Sequence, residues 1–211
     1  MICNVIASGS KGNAVVLNSD ILIDCGVPYK ALKDVKDGFA LVLLTHIHGD
    51  HFRPSTIKKL SFMRPSLRWA CPEWLRDPLQ SIGVRPEVID TCGGKWLDYG
   101  KYKVRCEMIP HDVPNCCWHI CGKTESAFYA TDCASLDAIH AKDYSLYMVE
   151  ANYVTAELEQ RQARKLAEGV FSYESRAAAS HLSREQAEEW ISREATPGVS
   201  KVVYLHQHKE V

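Results

Sequence analysis

The sequence lacks the features that would place a chain in or across a membrane. No apolar run approaches the roughly 20 residues that a membrane-spanning helix needs. The first residues, MICNVIASGSKGN, show no basic region followed by a long apolar core, so they do not resemble a signal peptide. We therefore expect a cytoplasmic protein with no membrane partner. Its nine cysteines are then expected to be reduced thiols, since disulfides are rare in that compartment.

Paired CxxC motifs, low-complexity segments and internal repeats are also missing. A structural zinc site of the common cysteine-rich kind is therefore not expected. The nearest approach is CCWHIC at residues 116–121, where Cys117, His119 and Cys121 would share one face of a strand and could hold a metal. Such a run is more often a buried strand with small apolar thiols, and we favour that interpretation.

Neither sign of charge is in excess. Lys and Arg number 25 against 26 for Asp and Glu, which neither supports nor excludes a nucleic-acid partner. Five basic residues could form a local track that grips a polymer, although a solvated helix face explains them equally well: Arg53, Lys58, Lys59, Arg64 and Arg68. With 211 residues and 46% hydrophobic content, we expect residues 1–211 to form a single domain.

Strands are predicted to dominate the first two thirds of the chain, with helices interspersed and concentrated late. A short helix is expected from Pro28 to about Lys36, a second from Pro54, and a third in PEWLRDPLQSIG. A fourth spans Thr155 to about Glu168, and a capping box at Ser183 begins the last. The predicted strands are residues 2–7, two around the Asn-Ser-Asp turn, FALVLLTH, LRWAC, KYKVRCEMIP, CCWHICG, SAFYATD, DYSLYMVEANY and KVVYLH.

Three histidines and an aspartate crowd into THIHGDH, directly behind an apolar strand. His46 and His48 are one residue apart, so in extended backbone both imidazoles point the same way and can bind one ion. Gly49 lets the chain turn, which brings Asp50 and His51 round to a second direction. The loop therefore predicts two metal ions.

Polar residues at the ends of other strands supply the remaining ligands. We assign His46, His48 and His111 to one ion and Asp50, His51 and His206 to the other. Asp132 is shared, because a carboxylate has two oxygens and neutralises charge between two cations. His208 competes with His206 for the last position. Imidazole and carboxylate ligands suit zinc first, with manganese or iron as alternatives.

These residues resemble the signature of the metallo-β-lactamase-fold hydrolases. THIHGDH is similar to their metal loop, and ILIDCG, IPHDVP, YATDCA and YLHQH follow in the family's order along nearly the whole chain. The resemblance implies an α+β fold, a four-layered αββα sandwich with the metals at one edge. It also implies that Asp24 braces the metal loop. Histidine at position 48 differs from the Glu that di-iron oxidoreductases of the fold typically place there.

SGSKGN, VEANY and SHLSREQAEEW are similar to elements of the ribonuclease Z-like branch, closest to its YycJ-like members. That resemblance implies that Glu150 orients His181 and that His181 donates a proton or contacts a phosphate. Together with Asp50, these are the candidate catalytic residues. A helix-capping His181 with a surface Glu150 is the alternative. The long insertion of β-CASP nucleases and a Gly/Pro-rich arm that grips transfer RNA are both missing.

The expected function is that of a dinuclear metal-dependent hydrolase, a phosphodiesterase or nuclease that attacks a diester with a metal-bridging hydroxide. Its partner would be a nucleic acid or a nucleotide, cyclic nucleotides included. One alternative is a thioester or lactone hydrolase of the glyoxalase-like type, and another is a metal-binding protein without turnover. Three tryptophans could mark a homodimer surface or simply the core: Trp69, Trp74 and Trp96.

Overall fold

The computed structural model describes residues 1–170 and 178–207, and these residues form two six-stranded sheets. The first sheet contains, side by side in chain order, β1 (Cys3–Ala7), β2 (Ala14–Leu17), β3 (Ile21–Ile23), β4 (Leu41–Leu43), β5 (Arg68–Cys71) and β6 (Ile89–Thr91). The second contains, also side by side, β7 (Leu97–Asp98), β8 (Lys103–Ile109), β9 (Asn115–Cys121), β10 (Ser126–Ala130), β11 (Leu146–Glu150) and β12 (Lys201–Leu205).

Each sheet is mixed, with an antiparallel part followed by a parallel part. Strands β1 to β3 pair antiparallel, whereas β3 to β6 pair parallel. The second sheet repeats the arrangement, since β7 to β10 are antiparallel and β10 to β12 parallel. Parallel strands end at the same edge of a sheet, so the residues that follow them are brought together there.

The sheets are accompanied by the α-helices α1 (Pro54–Met63), α2 (Arg76–Ser81), α3 (Thr155–Ala167) and α4 (Arg184–Glu194). The capping box predicted at Ser183 is present, since its side chain accepts a hydrogen bond from the Gln186 amide and the Gln186 side chain accepts one from the Ser183 amide. Pro54 begins α1 at the position where a missing N–H costs nothing.

Apolar side chains fill three layers, which explains why β4 is apolar on both faces. Between the sheets, Leu17 and Ile23 pack with Trp118 and Tyr129. The outer face of the first sheet is covered by α1 and α2, and Phe128 and Tyr147 on the outer face of the second pack against Trp190 of α4. The order helix, sheet, sheet, helix confirms the predicted α+β sandwich.

Several predicted elements differ from those observed. The helix expected from Pro28 to about Lys36 is reduced to a 3-10 turn at Tyr29–Leu32, which is followed by further turns. PEWLRDPLQSIG is divided into a 3-10 turn at Glu73–Leu75 and α2. Strands β6 and β7 were not predicted, since each is only two or three residues long and lacks an alternating pattern.

CCWHIC is a buried strand, as favoured, with Trp118 directed between the sheets. All nine cysteines are free thiols. Trp69 is completely buried against the helices of the first sheet, so it cannot mark a dimer surface, whereas Trp96 is exposed. That the chain forms a single domain and a homodimer stays a prediction.

Candidate metal centre

Three residues of the candidate site adopt backbone conformations that side chains usually avoid. Asp24 follows β3, Asp132 lies just beyond β10, and His206 follows β12, with φ angles of 59°, 55° and 51°. Positive φ is uncommon outside glycine, and such strained residues concentrate at functional sites. All three lie at the edge where the parallel strands end. The turn that stops each strand therefore also aims a carboxylate or an imidazole into the same region.

His46, His48 and His111 form the first group of donor atoms, all within 4.8 Å of one another. Nε2 of His46 lies 3.2 Å from Nδ1 of His48, and Nε2 of His111 lies 3.4 Å from that same Nδ1. Nitrogens this close repel one another when protonated. The sequence placed these three residues on one ion, and the structure brings them together.

Asp132 lies at the centre of the remaining donors. Its Oδ2 contacts Nε2 of His51 and is 3.7 Å from Nε2 of His46, and its Oδ1 is 2.6 Å from Nδ1 of His206. It belongs to two further groups of close donor atoms, one with His46 and His51 and one with His206, Glu150 and His181. A carboxylate that faces ligands on both sides has the position expected of a bridge.

The donor set fits divalent cations. Within residues 1–170 and 178–207, both oxygens of Asp132 and Nδ1 of His206 are buried yet have no hydrogen bond of acceptable geometry. Buried polar atoms without partners are costly, and native proteins rarely leave them so. Two cations would satisfy these atoms and the crowded imidazoles at once. Imidazole and carboxylate are also the ligands that zinc takes in catalytic sites.

Asp50 is less central than the sequence suggested. Its Oδ2 lies 3.8 Å from Nε2 of His51 and 3.5 Å from Nδ2 of Asn13, and the three close groups of donor atoms among the described residues do not include it. The carboxylate nevertheless borders His51 and is partly open to solvent. Its assignment as a ligand and catalytic residue stays a prediction.

Asp24 supports the metal loop from behind. Its carboxylate accepts a hydrogen bond from the Thr45 amide at 3.0 Å and from the Tyr129 hydroxyl at 3.1 Å, and its Oδ2 lies 2.7 Å from Nδ1 of His51. A proton held on Nδ1 leaves Nε2 of His51 with its lone pair directed to the ligand cluster. This is the bracing role that the resemblance implied for Asp24.

Glu150 and His181 form a pair beside the ligands. Glu150 is fully buried, accepts a hydrogen bond from the Cys133 amide at 3.0 Å, and places Oε1 2.5 Å from Nδ1 of His181. Nδ1 of His181 is also 3.2 Å from Oδ1 of Asp132. The interpretation of Glu150 as a surface residue is therefore wrong. Because both carboxylates face Nδ1, the opposite ring atom, Nε2, is left for a ligand.

Burial and charge pull the pKa values of this site in opposite directions. Burial, together with His51, lowers the pKa of His46 to about 2, and burial also lowers the pKa of His111. Burial alone would lower the pKa of His181, but the neighbouring carboxylates of Asp132 and Glu150 raise it to about 10. Although burial opposes ionisation, the neighbouring His51, His181 and His206 hold the pKa of Asp132 well below its usual value.

Two residues at the site were not predicted from the sequence. Buried Asn13 has its Nδ2 2.8 Å from Nε2 of His51 and donates to the Asp50 carbonyl at 3.3 Å. Asp112 has its Oδ1 3.0 Å from Nε2 of His111 and 3.5 Å from Nε2 of His48. Two features of the sequence could have pointed to these residues. Asn13 follows Gly12 in the SGSKGN turn, and Asp112 adjoins the candidate ligand His111.

Three of the five basic residues of the predicted track make contacts within the protein. Arg68 pairs with Asp90, the Arg64 guanidinium lies over the Phe39 ring, and the Lys59 ammonium lies over Tyr29. Cations engaged in this way have less to offer a phosphate backbone. His208, the competitor of His206, lies outside the described residues.

A family model, the beta-lactamase superfamily domain, matches residues 20–207. The matched residues include the whole ligand cluster. The chain belongs to the beta-lactamase superfamily. Members of this superfamily are generally metal-dependent hydrolases, and the three groups of donor residues described above agree with that chemistry. No curated protein matches the chain significantly.

Solved structures share the fold at low identity. The metallo-beta-lactamase fold protein YhfI from Bacillus subtilis is 17% identical, with a TM-score of 0.73, over 99% of this chain and 87% of that one. The short form of human tRNase Z is 16% identical, with a TM-score of 0.69, over 98% of this chain and 93% of that one. A new diphosphatase from the PhnP family is 14% identical, with a TM-score of 0.68, over 97% and 85%. At these identities the likeness shows the fold.

Among residues 1–170 and 178–207, none of the helices is both long and apolar enough to cross a bilayer.

Proposed function

We propose that this superfamily member is a dinuclear metal-dependent phosphodiesterase that cleaves a diester bond in a nucleic acid or a nucleotide. The observation that carries the proposal is the Glu150–His181 pair, whose 2.5 Å contact lies directly beside Asp132. Cleavage of a phosphodiester releases an alkoxide, a poor leaving group that needs a proton. An imidazole is suited to supply it when one nitrogen is anchored by two carboxylates and the other has no hydrogen-bond partner among the described residues.

The metal ligands in this proposal are those assigned from the sequence. His46, His48 and His111 would hold one cation, while Asp50, His51 and His206 would hold the other with Asp132 between them. Two divalent cations, zinc in the first place, would activate water and neutralise charge that develops on the phosphate. The chain's own residues orient the site: Asp24 fixes the His51 ring through Nδ1.

The substrate class also draws support from two similar folds. The human relative is a tRNase Z and another is a diphosphatase, and both names describe attack at phosphorus. A thioester or lactone hydrolase of the glyoxalase-like type is the alternative for the same metals. A thioester releases a thiolate, which departs without a proton donor, so the Glu150–His181 pair favours the diesterase over a thioesterase.

Metal analysis combined with a substrate panel tests the proposal. We expect close to two divalent metal ions per chain, and hydrolysis of bis(p-nitrophenyl) phosphate and of thymidine dinucleotides that chelation abolishes and zinc or manganese restores. Thioesters are expected to be poorer substrates than the dinucleotides in kcat/KM, because the donor assists only the departure of an alkoxide.

The panel separates the three functions. Faster turnover of a thioester or lactone than of every diester would replace the proposal with the alternative. Bound metal without turnover of any compound would indicate a metal-binding protein that is not an enzyme. Single-stranded, duplex and cyclic diesters in the same panel would narrow the partner.

The role of His181 is tested by varying the leaving group. His181→Ala is expected to slow cleavage of the dinucleotide TpT by about 100-fold or more in kcat, because its alkoxide needs a proton. The same variant should reduce the rate for bis(p-nitrophenyl) phosphate far less, since p-nitrophenolate departs without one. Rates with the two substrates, measured on metal-loaded protein, give the ratio directly.

Two further variants complete the test: the first should show a weaker effect, and the second is a control that should show none. Glu150→Gln should show the same leaving-group dependence in weaker form, because it keeps the shape but loses the charge on the atom 2.5 Å from His181. His140→Ala replaces an imidazole that is 83% exposed and should leave both rates unchanged. An equal loss on both substrates would assign His181 to metal binding and not to proton donation.

A further inference from the structure

One wall of a large cleft beside the metal centre is formed by a loop that the proposed chemistry does not use. The cleft has a volume of about 960 Å³, and its lining includes His181, His206 and residues 8–12, the sequence SGSKG. The loop therefore borders the same cleft as the predicted proton donor. Asn152 and Tyr204 complete the lining.

The loop is attached firmly to the metal centre. The Ser8 hydroxyl accepts a hydrogen bond from the His206 amide at 2.6 Å, and a Cβ placed on Gly9 would lie 3.7 Å from the His206 ring. Asn13 ties the other end, since its Oδ1 accepts from the Gly9 amide at 2.9 Å and its Nδ2 lies 2.8 Å from Nε2 of His51. The wall is thus held at a fixed position relative to the ligands.

The charge of the cleft has one sign. Its lining contains no carboxylate among the described residues, while Lys11 supplies an ammonium group. Within residues 1–170 and 178–207, the Lys11 ammonium and the Ser10 hydroxyl have no hydrogen-bond or ion-pair partner. A lysine with no counter-ion and a hydroxyl with no acceptor, side by side on a cleft wall, are donors suited to phosphate oxygens.

We propose that Ser10 and Lys11 form a subsite for a second phosphate of the substrate, separate from the diester that is cleaved. The inference rests on the proposed function, because it takes the metal centre as the place of cleavage. The substrate would then be an oligonucleotide or a nucleotide with an additional phosphate, and not a molecule whose single phosphate is the scissile one. Lys11 is a specificity-determining residue in this arrangement.

Dinucleotides that differ by one terminal phosphate test the subsite. At least one of pTpT and TpTp is expected to have a KM about tenfold or more below that of TpT. Lys11→Ala should remove that advantage while leaving kcat/KM for TpT and for bis(p-nitrophenyl) phosphate unchanged. Lys30→Ala, which alters an exposed lysine outside the cleft lining, should keep the advantage.

Two results would overturn the subsite: equal KM values for all three dinucleotides, or an advantage that survives in Lys11→Ala. Equilibrium binding distinguishes this failure from failure of the proposed function. Calorimetry with thymidine 3′,5′-bisphosphate on metal-loaded wild type and Lys11→Ala needs no turnover. If the wild type cleaves no diester but binds the bisphosphate more tightly than Lys11→Ala does, the subsite is retained and the phosphodiesterase is rejected. Equal binding would reject the subsite.

Discussion

Replacing Asp132 with alanine is expected to abolish diester hydrolysis, with a loss in kcat/KM on the order of 1,000-fold or more. The carboxylate contacts His51, lies 2.6 Å from His206, and approaches His46 at 3.7 Å, so its removal takes negative charge from two of the three groups of donor atoms. Metal content should fall below two ions per chain. Bis(p-nitrophenyl) phosphate turnover and metal analysis on the same samples measure both effects.

The matched control is Asp34→Ala, which removes an exposed carboxylate that has no partner among the residues described by the structure. It should retain full activity and two metal ions. His48→Ala, a variant of the first ligand group, should lose activity as Asp132→Ala does. Full activity in both Asp132→Ala and His48→Ala would contradict a catalytic metal centre at this position.

Gly26→Ala is expected to destabilise the protein by more than about 4 kcal/mol, or to prevent it from folding. A Cβ at position 26 would lie 1.6 Å from the Asp50 carbonyl oxygen and 2.7 Å from the His51 amide nitrogen. Both atoms are backbone, so no side-chain rotation relieves the overlap. The metal loop would have to move away from the strand that supports it. Urea unfolding of chelated protein measures the change without a contribution from metal binding.

Gly49→Ala is the matched control, because it adds the same methyl group within the metal loop. A Cβ there would meet no atom within 4 Å, and the backbone is not in the left-handed region. Its free energy of unfolding should change by less than about 1 kcal/mol, the cost or gain of replacing glycine at a compatible site. Similar stability of Gly26→Ala and Gly49→Ala would contradict the close packing of the loop.

The sequence predicted most of the fold because the apolar pattern of each strand reports on its layer. Burial of β4 on both faces followed from an unbroken apolar run, and the capping box at Ser183 followed from local hydrogen bonding alone. The 3-10 turn after Pro28 and the short strands β6 and β7 could not be predicted in the same way. Their conformations depend on neighbours that are distant in the chain.

The candidate site was likewise predicted only in part, from features that are local in the sequence. Spacing within THIHGDH indicated metal ligands, and the order of the later motifs indicated which strand ends would join them. Asn13 was missed, because it contacts His51, which lies 38 residues further along the chain. The SGSKGN turn carried no sign that it would line a cleft with His181, far along the sequence.

By itself, the sequence indicated the candidate donors and the family of the fold, because ligand chemistry and apolar periodicity are properties of short segments. Only the tertiary structure decided that Asp132 faces both ligand groups and that Glu150 is buried against His181. It also decided that Lys11 lies on the cleft wall with no partner among the residues that the structure describes. These facts arise where parallel strands from two sheets end at one edge. Distances between residues so far apart in the chain are set by packing and not by spacing.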